Sequence, residues 1–111
     1  MPLESEKDVE KYLVKQVEGH GGLCRKYVSP GVRGVPDRIC IMPQGITLYV
    51  ELKSEGMLPE PHQTREHTRM KTLGHTVYII DTKAKVDKLI KEGINDALSA
   101  SIRRTPCYKK S

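Results

Sequence analysis

Two β-rich runs on either side of a short turn constrain the fold more than any other part of this sequence. Residues 37–42 and 46–52 are rich in Ile, Leu, Val, Thr and Tyr, which favour strands. Pro43, Gln44 and Gly45 separate them, and a loop of this length containing glycine is typical of a β-hairpin. The sequence therefore predicts two antiparallel strands with a tight connection, in a chain of 111 residues that has room for one domain.

Two carboxylates and an ammonium group gather at the open end of this hairpin. If the hairpin is centred on Gln44, Asp37 lies opposite Glu51. Side chains alternate between the two faces of a strand, so Asp37 and Glu51 share one face and Lys53 follows on it two residues later. The other face receives the apolar residues of the second strand, which are Leu48, Val50 and Leu52.

This group of charges predicts a site for a divalent cation. Carboxylates placed opposite each other repel unless a positive charge lies between them. Mg²⁺ favours one or two carboxylates together with waters and a substrate phosphate. The backbone carbonyl of Leu52 can supply a further oxygen, and Lys53 is placed to help deprotonate an attacking water or to stabilise charge at a phosphate. The alternative is an ordinary surface ion pair between Lys53 and two solvated acids.

The first predicted helix carries a third acid. Its apolar stripe consists of Val9, Leu13, Val14 and Val17, which recur at helical spacing. Glu6 falls in the middle of this stripe, and Glu10 lies within it. Because a carboxylate that faces a sheet is costly unless it is paired or metal-bound, we expect Glu6 to join the site, with Glu10 as the competitor for the same role. Glu6 is also close enough to the helix start to stay in solvent and interact with the helix dipole.

The remaining pattern predicts an α/β fold with the element order α-β-β-β-α-β-α. Beside the hairpin, the expected elements are helices at 6–19, at about 62–73 and over 86–98 with a break near Gly93, and strands at 23–28 and 76–81. The strand at 76–81 is continuously apolar, the kind that is buried on both faces. We expect a mixed sheet flanked by helices, forming one domain over residues 1–100, and a basic tail over residues 101–111.

Composition bounds the partners and the compartment of the protein. The net charge of +5 makes nucleic acid a plausible partner. The sequence has no apolar run of the roughly 18–20 residues that a membrane span needs and no signal-peptide pattern at its N-terminus. We therefore expect no membrane partner. The three cysteines are an odd number without the CxxC spacing of zinc sites, so we expect reduced thiols in a cytoplasmic protein.

Two segments that include the clustered charges resemble a known nuclease motif. Residues 34–37 read Gly-Val-Pro-Asp and residues 51–53 read Glu-Leu-Lys, which resembles the PD-(D/E)XK motif. The wider segment 29–38, together with Gln63 at the second helix, makes the sequence similar to the VRR-NUC family of virus-type replication-repair nucleases. The similarity runs over about residues 4–89 and so covers the predicted core.

The resemblance implies a restriction-endonuclease-like fold and cleavage of DNA phosphodiesters that depends on Mg²⁺ or Mn²⁺. By position, Asp37 and Glu51 correspond to the metal ligands and Lys53 to the catalytic lysine. Glu6 corresponds to the acid of the first helix, and Gln63 to a glutamine that supports the site. Small stand-alone members resemble resolvases of bacterial or phage-infected cells, which pair into homodimers and cut four-way (Holliday) DNA junctions.

Basic residues near the predicted site are candidates for contacts with DNA phosphates. Arg33 lies in the glycine-rich loop, with Lys26 and Arg38 near it. Arg65 and Arg69 recur along the second helix. For each of them the alternative is ordinary solvated charge.

The leading hypothesis is a metal-dependent endonuclease that acts on branched DNA as a homodimer. One alternative is a nuclease that processes flaps or linear ends. The other is a DNA-binding module of the same fold that does not cleave. The acid pair and Lys53 argue against a module that only binds DNA, since such a protein gains nothing from carboxylates that face a phosphate.

Overall fold

A four-stranded mixed sheet with helices on both faces organises residues 3–95, the part of the chain that this computed structural model describes. The elements follow the predicted order α-β-β-β-α-β-α. The helices are α1 (Glu6–Gly19), α2 (Pro61–Thr72) and α3 (Lys83–Lys88), and the strands are β1 (Leu23–Lys26), β2 (Arg38–Met42), β3 (Ile46–Leu52) and β4 (Val77–Ile80). The predicted α/β fold is therefore confirmed.

The C-terminal predictions fall partly outside this range. A π-helical turn, Leu89–Gly93, follows α3 directly, so the helical winding changes at the position where a break near Gly93 was predicted. The predicted end of the closing helix at Leu98 and the basic tail at 101–111 lie outside the described residues.

The hairpin has the predicted register. Strands β1, β2 and β3 are antiparallel neighbours, and β4 lies parallel to β3. Ile39 faces Tyr49 and Ile41 faces Thr47, as expected for a hairpin centred on Gln44. Gln44 and Gly45 both have positive φ angles, 67° and 75°, which close the connection within three residues.

Helices α1 and α3 cover one face of the sheet and form the core with it. Val9, Leu13 and Val17 of α1 are fully buried, which confirms these positions of the predicted stripe. They pack with the inward residues of the sheet and of α3, namely Cys24, Cys40, Met42, Leu48, Val50, Leu52, Ile80 and Val86. None of the helices found within residues 3–95 is long and apolar enough to cross a membrane.

The strand β4 does not have the burial that its sequence predicts. Its apolar run was expected to be buried on both faces, but β4 is one of the two edge strands of the sheet and, of its four residues, only Ile80 is buried. A run of apolar residues indicates that a strand has side chains to bury. It does not determine whether the strand lies in the middle or at the edge of the sheet. The first strand also stops two residues early, at Lys26, because its partner β2 begins at Arg38.

Gly22, which precedes β1, is in close contact with β2. A Cβ atom there would lie 2.8 Å from the Ile41 carbonyl oxygen and 2.7 Å from Met42 Sδ. Since the carbonyl belongs to a paired strand and cannot move freely, we expect Gly22→Ala to lower the free energy of unfolding by about 1–3 kcal/mol, as overpacking does. Urea titration monitored by circular dichroism measures this change.

Gly19 provides the matched control for this substitution. It is the last residue of α1, and a Cβ atom there would have no neighbour within 4 Å. Gly19→Ala should therefore leave stability unchanged or raise it by up to about 1 kcal/mol through helix propensity. Equal effects of the two substitutions would contradict the packing described for Gly22.

Candidate active site

Asp37 stands at the entry to β2 and is held by the backbone of β3. It precedes the first residue of the strand, one step beyond the paired residues Arg38 and Val50, and therefore faces Glu51. Its Oδ2 atom accepts a hydrogen bond of 2.7 Å from the backbone N–H of Leu52. The hydrogen bond fixes the carboxylate at the end of the hairpin, where the predicted site lies.

Glu51 is buried on the opposite face from the apolar residues of β3. Its side chain is 1% exposed and lies beneath α2. The Oε2 atom accepts a hydrogen bond of 2.7 Å from Gln63 Nε2 and lies 3.5 Å from Lys53 Nζ. The Oε1 atom is buried and has no hydrogen-bond partner among the groups that the structure describes. One carboxylate oxygen is thus satisfied and the other is left unpaired.

The charges around Glu51 disfavour its ionised form. Burial, and then the negative charge of Asp37, raises the pKa of Glu51 to about 7, while the ammonium of Lys53 acts in the opposite direction. Close to neutral pH, the carboxylate is therefore only partly ionised. A cation next to Glu51 and Asp37 would favour the ionised form of Glu51 and reduce the repulsion between the two groups.

Gln63 connects Glu51, on β3, with Lys53, which directly follows the strand. Its Oε1 atom accepts hydrogen bonds of 2.7 Å from Lys53 Nζ and from the backbone N–H of Glu60. Its Nε2 atom donates to Glu51, so both ends of the amide are used. Gln63 lies in the first turn of α2, and through it this helix sets the positions of Glu51 and Lys53.

Glu6 lies on the site side of α1, and Glu10 does not. Burial and then the negative charge of Asp37 raise the pKa of Glu6, and Lys53 opposes this shift. Glu10 is instead bound by Arg38, with 2.9 Å between Glu10 Oε2 and Arg38 Nε. Glu6 is exposed, unlike the sheet-facing carboxylate that the apolar stripe suggested, because it begins the helix. Within residues 3–95, no three His, Cys, Asp or Glu side chains are gathered closely enough to hold one ion.

The side chain of Arg38 forms an ion pair on the α1 face of the sheet. Its side chain is 14% exposed, and besides Glu10 it reaches the backbone carbonyl of Cys24, 3.5 Å from its Nη1 atom. Alternation along β2 explains this placement, because Arg38 follows Asp37 and so points to the α1 face of the sheet. The predicted contact of Arg38 with DNA stays a prediction, and it would have to compete with this ion pair.

The other predicted DNA contacts are mostly gathered in one place. Arg33, Arg65 and Arg69 line an open cavity of about 290 Å³ between the glycine-rich loop and α2, together with His62. Arg69 is partly neutralised by Glu66, 3.0 Å from its Nη1 atom. Lys26 is exposed at the end of β1, and it is not among the residues that line this cavity.

The glycine-rich loop packs directly on the start of α2. Gly34 has a φ angle of +87°, and a Cβ atom at this position would overlap with the backbone carbonyl of His62. Only glycine permits this close approach and this backbone conformation. The loop that leads to Asp37 is therefore fixed against the helix that carries Gln63.

His67 lies next to the site, although its sequence pattern predicted no role for it there. This histidine of α2 is 11% exposed, and its Nε2 atom lies 3.8 Å from the unpaired Oε1 of Glu51. Burial lowers the pKa of His67, while the charge of Asp37 and the nearby backbone of Gly34 oppose that shift. Its spacing was the available signal, because a residue four positions after Gln63 lies on the same face of the helix.

Comparisons with known proteins show that this chain is similar to a phage protein and to a solved structure. The chain is 47% identical over 83 residues to a protein of Acyrthosiphon pisum secondary endosymbiont phage 1 named "Putative nuclease p44", in a match that covers 75% of this chain and 89% of that protein. A solved structure described as a VRR_NUC domain is similar with a TM-score of 0.74 and 38% sequence identity, over 80% of this chain and 98% of that one. No protein-family model matches the chain.

The buried position of Glu51 has a consequence for stability. The folded-state pKa of Glu51 is about 7, above the usual 4.5. The contribution of Glu51 to the free energy of unfolding is therefore fully present below pH 4.5 and is lost as the pH rises through 7. In EDTA at pH 8, we therefore expect Glu51→Gln to raise the free energy of unfolding by about 1–3 kcal/mol, and by less at pH 5. Chemical denaturation at the two pH values measures the difference.

An exposed acid on α1 serves as the control. Glu18→Gln removes a carboxylate at a solvated position and should change stability by less than about 0.5 kcal/mol at either pH. If Glu51→Gln were no more stable than the wild type at pH 8, the burial cost attributed to this carboxylate would be wrong.

Proposed function

This chain belongs to the VRR-NUC family, and we propose that it is a divalent-metal-dependent DNA endonuclease that hydrolyses phosphodiester bonds. One observation carries the proposal: the buried Glu51 faces Asp37, keeps one oxygen unpaired and has Lys53 beside it. A protein gains no stability from burying a carboxylate in this way. Such an arrangement is useful where a cation and a phosphate have to be bound together.

The donor groups at the hairpin end fit a hard divalent cation. Asp37 and Glu51 would hold it together with the Leu52 carbonyl, and we propose that the nearby Glu6 contributes through a bound water rather than as a direct ligand. A bound Mg²⁺ or Mn²⁺ would polarise the phosphate and stabilise the leaving oxygen. The unpaired Oε1 atom of Glu51 and the effect of Asp37 on its pKa both support this assignment.

Lys53 is the residue proposed to act on the attacking water. Its ammonium group has three donors, and one of them is directed to Gln63 Oε1 at 2.7 Å. The side chain is thereby held next to Glu51, and the remaining donors are available to orient a water molecule or to stabilise negative charge on the phosphate. Gln63 acts through Lys53 and Glu51 and therefore positions both.

Branched DNA, and four-way junctions in particular, are the substrates that we propose. Each chain supplies one pair of acids, whereas symmetric resolution of a junction requires cuts in two opposite strands. A homodimer would supply the two sites and double the basic surface. Because one relative comes from a phage, we place this activity in the cytoplasm of a bacterium or of a phage-infected cell.

Cleavage of matched four-way junction, flap, linear duplex and single-stranded DNA in Mg²⁺, Mn²⁺ or EDTA tests the proposal. We expect metal-dependent, paired nicks on opposite strands of the junction. Lys53→Ala and Asp37→Asn should each reduce the rate by about 10²-fold or more, because a positioned proton-transfer group or metal ligand is lost.

The variant Lys91→Ala, on the exposed surface after α3, is the control and should cleave at the wild-type rate. Cleavage of flaps or ends alone would retain the nuclease and exclude the resolvase. Full activity of a well-folded Lys53→Ala protein would refute the role of this lysine. Salt-sensitive binding without cleavage in any metal would identify a DNA-binding module.

The basic cavity between the glycine-rich loop and α2 is the proposed contact with the DNA backbone. Neither Arg33 nor Arg65 has an ion-pair partner within the described part of the chain, so both are available for phosphates. For the double variant Arg33→Ala/Arg65→Ala, we expect the slope of log affinity against log salt to become less steep by about two. Binding titrations in EDTA at several salt concentrations measure this slope.

The control for the cavity removes the same charge elsewhere. Lys88→Ala/Lys91→Ala lowers the net charge by the same amount on the exposed surface at the end of α3 and should leave the slope unchanged. Similar slopes for the two double variants would show that DNA responds only to net charge.

A further inference from the structure

Two buried polar atoms face each other under α2 without forming a hydrogen bond. They are Nε2 of His67 and Oε1 of Glu51, 3.8 Å apart, and neither has a hydrogen-bond partner among residues 3–95. A buried polar atom without a partner costs roughly 1–3 kcal/mol. Two such atoms next to each other therefore indicate that these side chains have a functional role that outweighs their cost in stability.

The other side of the imidazole is directed to the loop that carries Asp37. The backbone of Gly34 lies close enough to the imidazole to oppose the lowering of the pKa of His67. That glycine is itself seated on the first turn of α2, against the carbonyl of His62. Asp37 follows three residues later. His67 therefore lies between the loop that leads to one acid and the strand that carries the other.

We propose that His67 is a positioning residue that fixes the Glu51 carboxylate relative to the loop of Asp37. Gln63 holds Oε2 of Glu51 at 2.7 Å. His67 Nε2 lies 3.8 Å from the second oxygen, Oε1, and so limits the rotation of the carboxylate about its terminal bond. A movement of roughly 1 Å would bring the two atoms to hydrogen-bond distance, with Nε2–H of His67 as the donor and Oε1 as the acceptor. The inference rests on the proposed function, since it concerns the same metal-binding acid.

A role in packing alone does not account for a histidine here. The neighbouring surface between α2 and β4 is lined in part by Pro59, Val77 and Ile79. An apolar residue would fill this space and leave no unpaired nitrogen. Outer groups that orient a ligand typically change metal affinity or activity by 10–100-fold when they are removed.

Three substitutions of His67 distinguish its contact with Glu51 from its contact with Gly34. Glutamine extends its amide to about the position of Nε2 and keeps a partner for Glu51, whereas asparagine reaches only about as far as Nδ1 and keeps the contact with Gly34. Alanine removes both. The measurement is the rise in melting temperature of the full chain, without DNA, as Mn²⁺ or Mg²⁺ is added to protein prepared in EDTA.

We expect the alanine and asparagine variants to require about 10–100-fold more metal than the wild type for the same rise. His67→Gln should stay within about threefold of the wild type. Binding of junction DNA in EDTA should be the same for all variants, because the side chain of His67 is only 11% exposed. The exposed His20, at the far end of α1, gives the control His20→Ala, with wild-type behaviour in both assays.

Two outcomes would overturn the inference while the proposed function stands. One is a wild-type metal response in His67→Ala. The other is an equal loss in the glutamine and asparagine variants, which would mean that the contact with Glu51 is not the important one. If the wild type itself showed neither a metal-dependent rise nor cleavage, the proposed function would fail, and this inference with it.

Discussion

The cost of burying Glu51 beside the negative charge of Asp37 is the constraint on which the rest of the site depends. Like charges that face each other across an antiparallel pair repel, and burial adds to this cost. Lys53 and Gln63 offset part of it through a single oxygen, Oε2 of Glu51. The other oxygen is left for a positively charged ligand. A site that is incomplete in this way gains the most from binding a cation, because the cation supplies the missing attraction.

Helix α2 contributes side chains both to the group of acids around Glu51 and to the basic cavity. Gln63 and His67, one turn apart, face Glu51, whereas Arg65 and Arg69, also one turn apart, line the basic cavity. Both pairs follow from the spacing of four residues along a helix. A rotation of α2 would therefore move the two residues that face Glu51 and the two arginines of the cavity together. The contact of Gly34 with this helix therefore fixes the acids relative to the surface proposed to bind the DNA backbone.

Local patterns were sufficient for the hairpin and for the pairing of its acids. The register follows from counting residues on either side of Gln44, and the face of each side chain follows from alternation. Gln63 could be placed only through the resemblance to a family, because its contacts cross from a helix to a strand. The contact between His67 and Glu51 and the edge position of β4 depend on how the elements pack. Neither is encoded in the pattern of a single element.

The adjacent residues Asp37 and Arg38 show how the sheet separates charges. Alternation directs Asp37 towards Glu51 and Arg38 towards Glu10 on the other face. Arg38 binds Glu10 at 2.9 Å, so the charge of Glu10 is neutralised away from the site. Glu6, one turn earlier, remains within the influence of Asp37 and Lys53. A shift of β2 by one residue would exchange the two side chains, leaving an arginine next to Glu51 and a second acid next to Glu10. The register of the hairpin is therefore as important for the chemistry of the site as the identity of its acids.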